Sequence, residues 1–385
     1  MANHEIHNMT LLSQDTLVGF GGMGEGMAMQ IAPDGRRIMW LAHESAPKNF
    51  TGVDVTDPRK PKVIVQTDLP VMEMRSNSLE VTGDIMAVAY QTPGVNMEKV
   101  GVELFDLSTP EDPKSISFFE YVHFAGGSDD FVPTNPKDDQ FYRCIDVRNP
   151  TKPEEVGRWW YPGTREGDNV APPPRHPDID SGFRAHNTNV YPQRPDRMYL
   201  GYLDGGTFIM DISDKSNPTV VGEWNPHPPY PGFAHTVLPL FSKDILIVTD
   251  ESIKDDAMDW PKLAWVVDAR KEDNMVPIAT LPMPPLDDFR TRGGRFGAHN
   301  LHENRPGPSF QSDDLIFGTF FNGGVRVFDL KDPLQPKEVA YFVPPKPDNS
   351  PVATAQINDV YVDENRIVYC VDRHAGGLYC LELNI

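Results

Sequence analysis

An apolar–aspartate–apolar triplet that runs into a polar or Pro-bearing turn recurs along the chain, and no other feature narrows the possible folds as much. It stands as Val53-Asp54-Val55-Thr56-Asp57-Pro58, Phe105-Asp106-Leu107-Ser108-Thr109-Pro110 and Ile145-Asp146-Val147-Arg148-Asn149-Pro150. It returns as Met210-Asp211-Ile212-Ser213-Asp214, Val267-Asp268-Ala269-Arg270 and Phe328-Asp329-Leu330-Lys331-Asp332-Pro333, and ends as Leu381-Glu382-Leu383-Asn384. The spacing is irregular, roughly 40 to 65 residues, which is the size of a four-stranded propeller blade with its loops. Asp, Asn, Ser and Thr side chains bond backbone N–H groups two residues on and fix a turn. Pro then pre-sets the backbone and cannot extend the strand it follows. These aspartates are therefore read as turn builders, not as catalytic acids.

The 38 Pro and 30 Gly among 385 residues argue against long helices and for short strands joined by turns. The fourth unit divides into strands over 189–191, 198–202, 207–211 and 219–224. The sixth and seventh repeat the pattern around the turns Asn322-Gly323-Gly324 and His374-Ala375-Gly376-Gly377. The third unit fits worst, because Val122 to Tyr142 is rich in Gly, Asp and Pro. The seventh unit lacks a fourth strand, whereas residues 16–21 precede the first unit and resemble one. The sequence thus predicts an all-β, seven-bladed β-propeller spanning 1–385 as one domain. In it, an N-terminal strand over residues 16–21 completes the last blade and pairs both open edges.

A formal net charge of −21 repels phosphate backbones and anionic lipid, so neither nucleic acid nor a membrane is expected as partner. No apolar run approaches the roughly 20 residues that span a bilayer. Met1 to Thr10 lacks the basic start and apolar stretch of a signal peptide. Three cysteines in a chain this long do not make a disulfide framework, and a reduced, cytoplasmic protein is expected. Cys370 and Cys380 flank the last hairpin turn and are read as packing residues that face each other.

A second repeat carries chemistry. Arg184-Ala185-His186-Asn187, Phe233-Ala234-His235-Thr236 and Gly297-Ala298-His299-Asn300 stand at equivalent places in their units, and Thr354-Ala355-Gln356 has Gln in the same slot. Equivalent places in a ring point at one axis. His186, His235, His299 and Gln356 are therefore candidate ligands of one divalent metal ion: Zn, Mn, Fe or Cu. Glu25 and Arg75 occupy the slot in the first two units, and His123 is the nearest candidate in the third. A second layer at the strand ends holds His43, Asp204, Asp250, Asn322 and His374. Glu25, His302, His43 and His374 are candidate proton carriers, and Arg75, with Arg184 and Arg295, a candidate clamp for a substrate carboxylate. No Gly-rich phosphate loop or Gly-x-Ser-x-Gly elbow is present.

The Asp-x-[Ser/Thr/Asn]-[Asp/Asn]-Pro turns, followed by Pro-x-x-Val-Gly/Ala segments, resemble the LVIVD-repeat family of β-propellers over nearly all of residues 19–385. The resemblance implies the fold and no catalytic residue. At fold level the chain is also similar to the selenium-binding protein and methanethiol oxidase group, in which propeller histidines are linked to copper. The selenium motif of that group, centred on a cysteine, has no counterpart here. The expectation is a metal-dependent lyase or hydrolase acting on a small carbonyl or carboxylate compound at the axis. A redox-metal oxidase or oxygenase, or a non-catalytic scaffold for a protein partner, stands as the alternative.

Overall fold

The structure is a computed structural model, and it describes residues 4–20, 22–91, 100–121 and 131–385. It is an all-β propeller. Among the described residues the helical content is the single turn Leu286–Phe289. No helix is long and apolar enough to cross a membrane.

Six sheets have four antiparallel strands each. The first unit runs through Met23–Ile31, Arg37–His43, Lys48–Asp54 and Lys62–Asp68. The second runs through Arg75–Thr82, Ile85–Gln91, Val100–Asp106 and Lys114–Tyr121. The fourth (Thr188–Tyr191 to Thr219–Trp224) and fifth (Ala234–Leu240 to Val276–Thr280) follow the same order. Six four-stranded blades, where the sequence predicts seven, is a correction. The third unit is a two-stranded sheet, Tyr142–Asp146 paired with Glu154–Trp159. Residues 122–130, including His123, lie outside the described residues.

Closure also differs from expectation. The strand that completes the last blade is Met9–Asp15, antiparallel to Leu378–Leu383 with Met9 opposite Leu383. It is not residues 16–21. The physical reason is an Asx turn: Asp15 Oδ1 accepts the Leu17 N–H at 2.7 Å, and Leu17 and Val18 take positive φ, so the strand stops there. A further strand, Glu5–His7, pairs with Lys337–Val343 and gives the sixth blade its outermost strand. The N-terminal segment thus fastens two adjacent blades.

The motif aspartates do what their spacing implies. Asp54, Asp106, Asp146, Asp211, Asp268 and Asp329 each accept the backbone N–H two residues on, at 2.8 to 3.0 Å. Most apolar residues beside them are buried, as with Val53, Val55, Leu107, Met210 and Phe328, whereas Val147 of the third unit is exposed. Cys370 lies opposite Tyr379, and Cys380 opposite Tyr369, one residue out of step. Adjacent residues of a strand point to opposite faces. The two thiols therefore enter different core clusters and do not face each other as expected.

Removal of residues 1–15 bares the edges of Leu378–Leu383 and Lys337–Val343. The truncated chain is expected to melt several degrees lower and to aggregate. An unchanged melting temperature in scanning calorimetry would show that the ring does not depend on this clasp.

Candidate metal centre

The inner strands become irregular where they reach the axis. In the first unit the pairing steps from Met23 opposite His43 to Met27 opposite Leu41, so extra residues bulge around Glu25. In the fifth it steps from Ala234 opposite Asp250 to Val237 opposite Val248, and His235 lies in that bulge. Bulges re-aim side chains that a regular pleat would send to the sheet faces. The glycines flanking Glu25 allow the close approach this needs. A Cβ on Gly24 would lie 2.7 Å from the Asn77 carbonyl oxygen, and one on Gly26 would lie 2.3 Å from the Leu79 nitrogen. In the sixth unit the inner segment is held to Leu315–Thr319 by single bonds, His299 N–H to Thr319 O at 3.0 Å and His302 N–H to Phe317 O at 2.9 Å.

Four groups converge. Glu25, His235, Glu251 and His299 each offer one ligand atom, all within 4.8 Å of one another. His235 Nε2 lies 3.5 Å from Glu25 and 3.8 Å from Glu251, and His299 Nε2 lies 3.4 Å and 3.6 Å from the same two carboxylates. Both imidazoles are fully buried, and both Nε2 atoms lack a hydrogen-bond partner. Their other nitrogens are engaged. His299 Nδ1 donates to the Asn358 carbonyl at 2.8 Å, and His235 Nδ1 meets Thr236 Oγ1 at 2.8 Å. Arg295 donates to Glu251 at 2.9 Å and fixes that carboxylate.

The electrostatics follow from this crowding. Burial opposes charge on His235, but the carboxylates of Glu25 and Glu251 outweigh it and hold its pKa above the ordinary value. His299 is shifted the other way, with burial dominating. Burial also raises the Glu25 and Glu251 carboxyls, yet the two imidazoles bring both below the usual range, Glu25 well below it.

The remaining candidates are distributed unevenly. His186 lies against His235, ring centroids 4.1 Å apart, but is not one of the four convergent groups. Its Nδ1 contacts Asn187 Oδ1 at 2.8 Å, and burial, helped by His235, pushes its pKa down to about 4. Gln356 is buried but turned outwards: its Oε1 accepts the Arg295 N–H at 2.8 Å, and its Nε2 donates to Thr354 Oγ1 and the Ala355 carbonyl. His43 is a core histidine, bonded to the Gly22 carbonyl at 2.9 Å and Thr51 Oγ1 at 2.7 Å. His302 accepts the Val362 N–H on Nδ1 and donates from Nε2 to the Phe310 carbonyl, which ties two loops. His374 sits on the turn whose N–H groups Asp372 gathers. Arg75 and Arg373 both bind Glu44, and Arg184 binds Asp139, so these guanidiniums already hold carboxylates.

Glu251 is the member of the convergent cluster that sequence reasoning passes over. It follows Asp250, which belongs to the second layer, and the Asp-Glu doublet at a strand end was the available signal. Asp250 itself serves the fold: it accepts from Trp265 Nε1 at 2.7 Å, and burial pushes its carboxyl up to about 7.

A cavity of about 780 Å³ lies between the inner strands of the second and fourth units, beside the two-stranded third. Glu25, Asn77, His186 and Asn187 line it, so it reaches the axis.

Residues 198–225 match the model described as the LVIVD repeat. The chain carries an LVIVD repeat. No match was found among curated protein sequences. Among solved structures the chain is similar to Saccharomyces cerevisiae Sqt1, with TM-score 0.53 and 8% identity over 94% of this chain and 97% of that one. It is also similar to Chaetomium thermophilum Raptor, with TM-score 0.57 and 12% identity over 98% of this chain and 29% of that one. Both likenesses concern the fold alone, and neither carries the resemblance to selenium-binding proteins.

Two outcomes test this geometry. Gly26→Ala is expected to cost roughly 1–3 kcal/mol by forcing the first two inner strands apart, measured by urea denaturation; an unaltered midpoint would mean that the contact is slack. Burial holds His43 and His302 neutral, with pKa values lowered from 6.5 to about 4. Their contribution to stability, on the order of 3 kcal/mol each, is complete above pH 6.5 and is lost as pH falls towards 4. Urea midpoints should drop steeply across that window, and a flat profile would contradict the assignment.

Proposed function

We propose that the propeller axis holds one divalent cation, Zn²⁺, Mn²⁺ or Fe²⁺, between Glu25, His235, Glu251 and His299, and that the protein is a metal-dependent enzyme of lyase or hydrolase type. One observation carries this reading: two buried imidazole Nε2 atoms without hydrogen bonds face two buried carboxylates. The separations of 3.4 to 3.8 Å are long for charge-assisted hydrogen bonds. Metal–ligand lengths of about 2.0–2.2 Å put ligand atoms about 3.3–3.6 Å apart in a tetrahedron, close to what is found. The contacts at Nδ1 orient both rings in the way metal-binding histidines are commonly held.

A bound ion would supply Lewis acidity to a substrate oxygen or to water. The chain's own residues do the rest. The Nδ1 of His186 is engaged by Asn187, and its ring stays uncharged at neutral pH. The ring lines the cavity, so Nε2 is placed to accept a hydrogen bond from a hydroxyl or a water there. His299 and His235, and after them Arg295, hold the Glu251 carboxyl below its ordinary range against the opposing effect of burial, and Arg295 also donates to it.

Elemental analysis of the purified protein is expected to give about one ion per chain, lost in His235→Ala and in Glu251→Gln. Protein that takes up no ion, or whose uptake survives both substitutions, would remove the basis for this function.

A further inference from the structure

The lateral cavity has a chemical character distinct from the axis it leads to. Its volume, about 780 Å³, is in the range of small-molecule sites. Its outer wall carries Tyr90, Phe131, Phe141 and Tyr142. These rings are fixed: Phe131 stacks on Phe141 with centroids 4.2 Å apart and meets Trp160 edge-on, and Tyr90 stacks on Phe118. A rigid aromatic wall binds flat apolar bodies at little entropic cost.

The charges on the lining exclude one class of ligand. Both guanidiniums there are engaged, Arg143 by Glu155 and Arg305 by Glu303 and Glu80. Glu25, Glu80 and Asp139 also line the space, and each already faces a partner: His235 and His299 for Glu25, Arg305 for Glu80 and Arg184 for Asp139. A charged ligand of either sign would therefore compete with an existing pair. At the axial end His186 lines the space, and its Nδ1 faces Asn187 Oδ1, so Nε2 is the acceptor nitrogen of the neutral ring.

We infer that this cavity binds an uncharged aromatic molecule bearing a hydroxyl group, its ring against the aromatic wall and its hydroxyl donating to His186 beside Glu25. This deepens the enzymatic reading by naming the substrate class of the same site, and it departs from the carboxylate expected from sequence. Lone guanidiniums would have favoured that carboxylate, but all of them are occupied.

Titration calorimetry with 2-naphthol, 2-naphthoate and 2-naphthylmethylamine tests the inference on the full chain. Binding of 2-naphthol is expected at least about tenfold tighter than that of the anion or the amine. Val190→Trp and Ala89→Trp, which fill the space from opposite walls, should each abolish it while thermal denaturation reports a folded protein. Equal or tighter binding of naphthoate or the amine would overturn the inference, as would binding that survives both filling variants. Stoichiometric metal without naphthol binding sinks this inference alone; naphthol binding without metal sinks the enzymatic reading and leaves the cavity standing.

Discussion

Two carboxylates and two imidazoles are held together in a dry place, and much of the surrounding structure serves to keep them there. Burying an ionised carboxylate costs several kcal/mol unless it is compensated. Glu25 and Glu251 find that compensation in His235, His299 and Arg295. The bulges at the starts of two inner strands, the glycines beside Glu25 and the Asn358 carbonyl behind His299 all act on this arrangement. Had any of the four come from a flexible loop, it would turn outwards to water.

Rotational pseudo-symmetry explains what the sequence reveals. Residues in the same slot of successive units must approach one axis, so His235 and His299 could be paired across more than sixty positions with no local signal linking them. The Asp turns were equally legible, because their bonds are local. Departures from symmetry were not. Gln356 shares the slot but answers to the neighbouring Arg295 N–H, a contact between two loops. Glu251 stands one residue outside the repeat that was aligned. The closing strand was misplaced because residues 9–15 and 16–21 are similarly apolar, and the Asx turn at Asp15 decides between them.

The irregular third unit matters for the same reason. Beside the two described strands of the third sheet, the space between the second and fourth units extends as far as Glu25 and His186. Arg305, gripped by Glu303 and Glu80, closes the lower part of that space, and Asn187 joins Glu303 to His186. The two regions are thereby mechanically continuous.

The clasp formed by Glu5–His7 and Met9–Asp15 has a consequence for the order of folding. Its partners, Lys337–Val343 and Leu378–Leu383, stand more than 300 positions further along the chain. Pairing over such a separation carries a large loop-closure entropy, whereas each blade is built from neighbouring strands. Blades can therefore form ahead of the ring, and the edges of Lys337–Val343 and Leu378–Leu383 stay open to other strands until the clasp arrives.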